Sequence, residues 1–163
     1  MRRFFSFFAV LLICVPAAFF VLLGAVALKL SGSDVFFTQK RIGHRGKLFS
    51  IYKLKTMEDG VVTKVGRILR RTSVDELPQL WNVIRGDMNI VGPRPLMPHE
   101  RMEYGGTLYE TRLPGLTGLW QVMDHGSDLK RRGELDNWYI INGTWWTDVM
   151  IIINTPLAML TNS

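Results

Sequence analysis

Residues 4–28 read FFSFFAVLLICVPAAFFVLLGAVAL, 25 residues without a charge, preceded by Arg2 and Arg3 and followed by Lys29. A helix of this length, at about 1.5 Å per residue, is long enough to cross a hydrocarbon core of roughly 30 Å with some tilt. A secretory signal has an apolar core of only about 7–15 residues, so the run is too long for one, although Ala25-Val26-Ala27 imitates a cleavage site. Two membrane readings remain, a spanning helix and a re-entrant helix that enters and leaves on one side. Pro16 sits at the middle of the run, where it lacks an N–H, clashes with the preceding turn and bends a helix. Spanning helices also tolerate proline. Between Lys29 and Lys55, seven Lys/Arg stand against one acid, Asp34, and Arg2 and Arg3 lie at the other end. Positive charge beside a membrane segment marks the cytoplasmic side. Both flanks carry it, and a spanning helix satisfies only one of them. These features by themselves leave both readings open.

The rest of the chain is ordinary in bulk. Its 163 residues, net charge of +6 and 47% hydrophobic content suit one domain. They exclude a large multidomain enzyme, a multi-span transporter and a disordered or fibrous chain. The single cysteine, Cys14, excludes a disulfide scaffold and a Cys-based zinc site. The charge is unevenly spread: residues 1–57 carry +8 and residues 58–163 carry −2. The positive excess therefore adjoins the apolar run, which favours anionic lipid over nucleic acid as the partner. No nucleic-acid recognition module is evident.

Val35–Ile42 and Leu48–Met57 are rich in β-branched and aromatic residues and flank Gly43-His44-Arg45-Gly46, which reads as a β-hairpin. Alternation puts Phe49, Ile51, Lys53 and Lys55 on one face, a cationic strip whose commoner use is to face solvent or lipid headgroups. Thr63–Arg71 reads as a short basic helix with Val65, Ile68 and Leu69 on one face. Leu77, Leu80, Trp81 and Ile84 follow as an apolar stripe at helical spacing, closed by Gly86. A start at Ser73 would form a capping box with Glu76, but would carry Pro78 past the free N–H positions; a start nearer Asp75 removes that conflict. Val91–Pro98 and Arg112–Gly118 are Pro/Gly-rich and read as rigid, shaped loops, each with an arginine. Leu129–Tyr139 reads as a polar helix. Trp145 and Trp146 precede Val149–Ile153 and Pro156–Leu160, a pattern that suits either a membrane interface or a buried C-terminal helix.

Standard sites are missing from the sequence. There is no Gly-x-Gly-x-x-Gly, no Walker-type loop and no Gly-x-Ser-x-Gly elbow, and His44, His99 and His125 are dispersed without metal-ligand spacing. What remains is Asp75-Glu76, with Arg70-Arg71 before it and Arg85, Arg94 and Arg112 after it. Adjacent acids at a helix start have a structural use as caps. Here they stand with arginines in rigid loops beside a basic, membrane-proximal surface. Guanidinium forks match phosphate oxygens, and carboxylates hold Mg2+ that bridges to phosphates. The residues alone point to a membrane-bound protein that handles a phosphorylated substrate.

The run Arg70-Arg71-Thr72-Ser73-Val74-Asp75-Glu76-Leu77-Pro78-Gln79-Leu80-Trp81-Asn82-Val83, followed by Gly86-Asp87-Met88, Val91-Gly92-Pro93-Arg94-Pro95 and Pro114-Gly115-Leu116-Thr117-Gly118, strongly resembles the bacterial sugar transferases. These are monotopic phosphoglycosyl transferases that begin glycan assembly on polyprenyl phosphate, and the chain resembles their minimal catalytic form. The resemblance implies transfer of a sugar-1-phosphate from a nucleoside-diphosphate sugar, usually a UDP-sugar, to a polyprenyl phosphate such as undecaprenyl phosphate, with release of UMP. It implies a covalent phosphosugar intermediate on Asp75, with Glu76 as partner and both acids serving Mg2+. Lys53 matches the lysine of the family's Lys-Phe-Arg-Thr-Met strand. Arg70, Arg94 and Arg112 match arginines expected to contact phosphate or nucleotide, and Asp136 matches an acidic position. Pro16 stands where the family's re-entrant helix is broken. The expectation is an α+β, mostly helical monotopic membrane protein. It comprises a Pro-kinked re-entrant helix over residues 1–30 and a catalytic domain over residues 31–163, on the cytoplasmic face of the inner membrane, with a short β-hairpin and rigid Pro/Gly loops.

The chain departs from the family pattern at Val15, where many relatives have serine before the proline, and at Lys55, where arginine is usual. The segment Glu58–Thr63 is also shorter than in many members. Two rival functions use the same residues differently: a Mg2+-dependent lipid or nucleotide phosphatase, and a non-enzymatic membrane adaptor.

Overall fold

The computed structural model describes residues 2–124 and 128–161, with side chains placed for 14–124 and 128–159. The side chains of Arg2, Arg3 and the first part of the apolar run, and His125, lie outside the described residues.

Helix α1, Arg2–Leu30, runs without interruption through Pro16. Its described inward stripe is Cys14, Ala17, Val21, Gly24 and Leu28, and the opposite face, including Phe19, Phe20, Leu22 and Val26, is exposed. Gly24 permits the close approach: a Cβ there would stand 2.7 Å from Leu54 Cδ1 and 3.1 Å from Leu69 Cδ2. Over the described residues, no helix is long and apolar enough to cross a membrane.

Strands β1, Phe36–Ile42, and β2, Leu48–Leu54, form the expected antiparallel hairpin, with Phe36 opposite Leu54 and Ile42 opposite Leu48. The second strand ends three residues before the sequence-based limit. Met57 instead begins a second small hairpin, β3 (Met57–Glu58) with β4 (Val61–Val62), turned at Asp59-Gly60, both in the left-handed region. An Asp-Gly pair is a strong signal for such a turn.

Helix α2, Lys64–Arg71, is capped by Thr63, whose Oγ1 accepts from Gly66 N at 2.9 Å. Leu69 is its buried apolar side chain, while Ile68 is 66% exposed, so the expected inward face is narrower than the sequence pattern suggests.

The next segment departs most from expectation. Val74–Gln79 is a 3-10 helix that passes directly into α3, Leu80–Arg85. Ser73 stands at φ 54° and makes no capping bond, so the Ser73–Glu76 capping box does not form. The 3-10 segment turns every three residues, which shifts the phase of the apolar stripe. Gln79, Leu80, Asn82 and Val83 face inward, whereas Trp81 is 55% and Ile84 43% exposed. Asn82 ties α3 to β2: its Nδ2 donates to Ser50 O at 2.8 Å and its Oδ1 accepts from Tyr52 N at 3.3 Å. Gly86, at φ 79°, ends the helix as expected.

Strand β5, Asn89–Val91, runs parallel to β6, Gly115–Thr117, across the long Pro/Gly segment, which holds short 3-10 turns at Pro98–Met102 and Tyr109–Thr111. Helices α4 (Leu119–Met123), α5 (Leu129–Asn142) and α6 (Trp145–Thr161) close the fold. The two apolar pieces expected after Trp146 are one helix that includes Pro156. It is apolar on both faces, with Ile151, Thr155 and Ala158 buried and Trp145, Trp146, Ile153 and Leu157 exposed. The main core gathers Ile51, Leu80, Val83, Met88, Ile90 and Tyr139, with Ala17 of α1. A second cluster, Leu28, Leu54 and Leu69, seats the end of α1 on the hairpin and α2.

Candidate active site

The 3-10 segment brings Asp75 and Glu76 up beside the end of β2. Asp75 is 7% exposed and forms no ion pair among the described residues. Burial, and then the charge of Glu76, raise its pKa from 3.8 to about 6, against the pull of Lys53 and Arg70. Glu76 accepts a short hydrogen bond from Lys53 Nζ. The lysine therefore compensates one carboxylate directly and the other through space.

Glu76 and Lys53 line a cleft of about 240 Å3, together with Arg41, Gln79, Arg94 and Gln121, and with Trp120 as an aromatic wall. A hollow of about 320 Å3 lies at the hairpin turn, lined by His44, Lys47, Phe49 and Asp87. Its one acid, Asp87, is paired with Arg85 at 3.4 Å. The smaller cleft also has one acid, Glu76, but gathers three cations around it, Arg41, Lys53 and Arg94.

Arg94 projects from the Gly92–Pro95 loop. Its backbone N donates to Asp136 Oδ2 at 3.1 Å, and its guanidinium lies 5.2 Å from the Trp120 ring centroid. Arg132 covers the same indole at 4.9 Å. Asp136 is 1% exposed and does not line the cleft; it sits behind the loop and also accepts from Tyr104 OH. Burial raises its pKa to about 7 against these hydrogen bonds and the Arg94 charge.

The other expected residues lie apart. Arg70 is exposed, bonded to Thr56 Oγ1 at 2.9 Å and Met57 Sδ at 3.0 Å, and reaches Asp75 only through its charge. Arg112 donates to Ile140 O at 2.6 Å, lies 5.7 Å from the Tyr139 ring, and buttresses α5 outside the cleft. Lys55 pairs with Asp34 at 2.8 Å and Glu58 at 3.3 Å, so the lysine strip is compensated residue by residue. Pro16 is on the exposed side of α1. Sequence reasoning missed Arg41, Gln79, Trp120, Gln121 and Glu100. For Arg41 a signal existed: alternation along β1 puts Gln39 and Arg41 on one face, and both are drawn inward.

No cluster of three or more His, Cys, Asp or Glu capable of holding a metal occurs among the described residues. The donor set is the adjacent pair Asp75 and Glu76. Of that pair, Glu76 lines the cleft and is paired with Lys53, while Asp75 does not line it; one or two carboxylates, with water and substrate phosphate completing the shell, are a common donor set for Mg2+.

The family model for bacterial sugar transferases matches residues 1–162. The chain belongs to the bacterial sugar transferase family. This sugar transferase is 35% identical over 161 residues to a Salmonella typhimurium protein named undecaprenyl-phosphate galactose phosphotransferase, covering 79% of this chain and 34% of that protein. It is 41% identical over 168 residues to a Caulobacter vibrioides protein named UDP-glucose:undecaprenyl-phosphate glucose-1-phosphate transferase, covering 86% of this chain and 62% of that protein. A Bacillus subtilis sugar transferase, EpsL, is 37% identical over 169 residues, with 92% of this chain and 81% of that one covered. The chain thus spans about a third of the Salmonella relative's length.

Proposed function

We propose that this chain is a phosphoglycosyl transferase that moves a sugar-1-phosphate from a nucleoside-diphosphate sugar, a UDP-sugar by analogy with its relatives' names, to a polyprenyl phosphate. The observation that carries the reading is Asp75: a buried carboxylate without an ion pair among the described residues, next in the chain to Glu76, whose pair with Lys53 lines a cation-rich cleft. A carboxylate in that setting is poorly solvated and therefore nucleophilic. Its oxygen attacks the phosphorus that bears the sugar, the bond to the nucleotide phosphate breaks, and UMP leaves. An oxygen of the polyprenyl phosphate then attacks the same phosphorus, and the Asp75 carboxylate is released. One phosphoanhydride bond is broken and another formed. Lys53 holds Glu76 in place and, with Arg94, offsets the charge of an anion attacking an anion. Mg2+, held by Asp75 and Glu76, would supply further neutralisation of the diphosphate.

The acceptor's phosphate lies at the membrane surface, and the chain is built to stay there. We read α1 as re-entrant, with both cationic flanks on the cytoplasmic side. Its exposed apolar face and Trp145 and Trp146 on α6 support placement at the inner-membrane interface. A cysteine placed at Ser6 then reacts only with reagent on the cytoplasmic side; periplasmic labelling would refute this topology. The reaction is tested by incubating the protein with UDP-sugars, Mg2+ and undecaprenyl phosphate. Multiple-turnover UMP release should depend on the lipid, and a phosphosugar adduct should be found on Asp75. Turnover without the lipid would indicate a phosphatase, and transfer that survives Asp75→Asn would sink the assignment.

A further inference from the structure

We infer that Arg41, at the end of β1, is a substrate-binding residue that forms with Arg94 a two-guanidinium clamp for a phosphomonoester group. In the transferase reading, on which the identity of this group rests, it is the phosphate that is not joined to Asp75: that of the departing nucleotide in one half-reaction and that of the lipid acceptor in the other.

The arginine is held in the cleft rather than splayed on the surface. It is 7% exposed, and its terminal nitrogens donate to Pro95 O at 3.1 Å and Gln39 Oε1 at 2.6 Å. Gln39 is fixed in turn by Met97 Sδ at 3.1 Å. The backbone joins the same two segments, with Ile42 N donating to Leu96 O at 2.8 Å, so the spacing between the β1 end and the Arg94 loop is fixed. Both guanidinium groups converge on one carboxylate, Glu100, at 3.6 Å for Arg41 and 4.0 Å for Arg94. Glu100 is itself buried and committed to Met97 N at 2.7 Å. One carboxylate beside two guanidinium groups leaves a local surplus of positive charge. Arg41 Nε is buried with no hydrogen-bond partner among the described residues. Burial, and then repulsion from Arg94, push the Arg41 pKa down. A desolvated guanidinium with an unmet donor, beside a second and partly exposed one, is unfavourable in an empty site and becomes favourable when an anion with several acceptor oxygens enters. Arg41 lines the same cleft as Lys53, Glu76 and Arg94, which places the clamp within one substrate's reach of the acids.

The test is a pair of charge changes with opposite expected signs. UMP and geranyl phosphate are titrated separately, with Mg2+, into the detergent-solubilised full chain by calorimetry. Arg41→Gln should weaken at least one of them by roughly 10- to 100-fold, the loss of a charge-assisted contact. Loss for UMP alone assigns the clamp to the donor side, loss for geranyl phosphate alone to the acceptor side, and loss for both to a shared role. Glu100→Gln keeps an acceptor for Met97 N while removing the competing charge, and should bind several-fold tighter. A residue that only supports the fold would weaken binding in both variants, and that result overturns the clamp. So does unchanged affinity for both ligands in a folded Arg41→Gln protein. If Arg41→Gln does not fold, the sign of the Glu100→Gln change decides. Failure of the clamp leaves Asp75 adduct formation intact in Arg41→Gln, whereas failure of the transferase reading removes the adduct from the wild type.

Discussion

Replacing Asp75 by Asn should destroy transfer and stabilise the protein. The rise of its pKa from 3.8 to about 6 means that the folded state binds this proton more tightly than the unfolded chain does. Stability from this group is thus fully present in acid and is lost as pH rises from about 4 through about 6. At pH 8 the ionised carboxylate costs about 3 kcal/mol, at roughly 1.4 kcal/mol per pH unit of displacement. Asp75 is only 7% exposed, so solvent screening is small. Asparagine has the shape of the protonated acid at every pH and carries no such cost. For a domain of this size about 3 kcal/mol corresponds to a Tm gain of roughly 5–10 °C. The gain should fall to about half in free energy at pH 5, where the wild-type acid is largely protonated in the folded state. Thermal unfolding of both proteins in the same detergent without Mg2+, at pH 5 and pH 8, measures this directly. A variant less stable than wild type at pH 8, or a gain of equal size at both pH values, would show that burial does not hold Asp75 in an unfavourable state, and the argument for its nucleophilicity would fall with it.

The same displacement predicts the pH profile. Only the ionised carboxylate can attack, so the single-turnover rate of UMP release should fall in acid solution, by about tenfold per unit below the Asp75 pKa, and more Mg2+ should move that fall to lower pH; a rate that does not fall in acid would contradict it. Asp136→Ala leaves Arg94 N and Tyr104 OH buried without their acceptor and should cost about 2–4 kcal/mol by denaturant unfolding, with loss of transfer. Asp136→Asn retains an acceptor and should stay within about 1 kcal/mol of wild type; if both variants are equally unstable, the hydrogen-bond account is wrong. Asn82→Ala removes the bonds to Ser50 O and Tyr52 N and should lower stability by about 2–3 kcal/mol, a loss visible as a lower denaturant midpoint with an unchanged slope.

Local patterns carried the hairpin, the helix α2 with its Thr63 start and the Gly86 stop, because each rests on residues within a few positions of one another. The inward face of α3 was not legible. A 3.6-residue stripe through Leu77, Leu80, Trp81 and Ile84 assumes one helix, and the 3-10 geometry of Val74–Gln79 breaks that phase. Proline at position 78 hinted at the conflict without resolving it. Of the residues the motifs marked, Glu76, Lys53 and Arg94 line one cleft, and Asp75 precedes Glu76 in the chain without lining it. Arg112 and Asp136 sit behind it, since a motif marks a residue without saying whether it faces the cleft or supports a loop. Glu100 and Arg41 stayed hidden because their meeting depends on a long-range backbone contact, Ile42 with Leu96, that no local pattern encodes.

The cleft is unfavourable on both of its sides in the same way. On one, a carboxylate is kept from water with its lysine committed to a neighbour. On the other, the Arg41 guanidinium is kept from water beside the partly exposed Arg94, with a single carboxylate between them. Each arrangement alone weakens the fold, and the Glu76–Lys53 pair eases each only in part, Glu76 acting on Arg41 and Lys53 on Asp75 through space. A ligand that places an electrophilic phosphorus near Asp75 and phosphate oxygens near Arg41 and Arg94 relieves both at once. The stability surrendered in the empty site is then regained on binding, which is the condition for interactions that favour the reacting complex over the free protein.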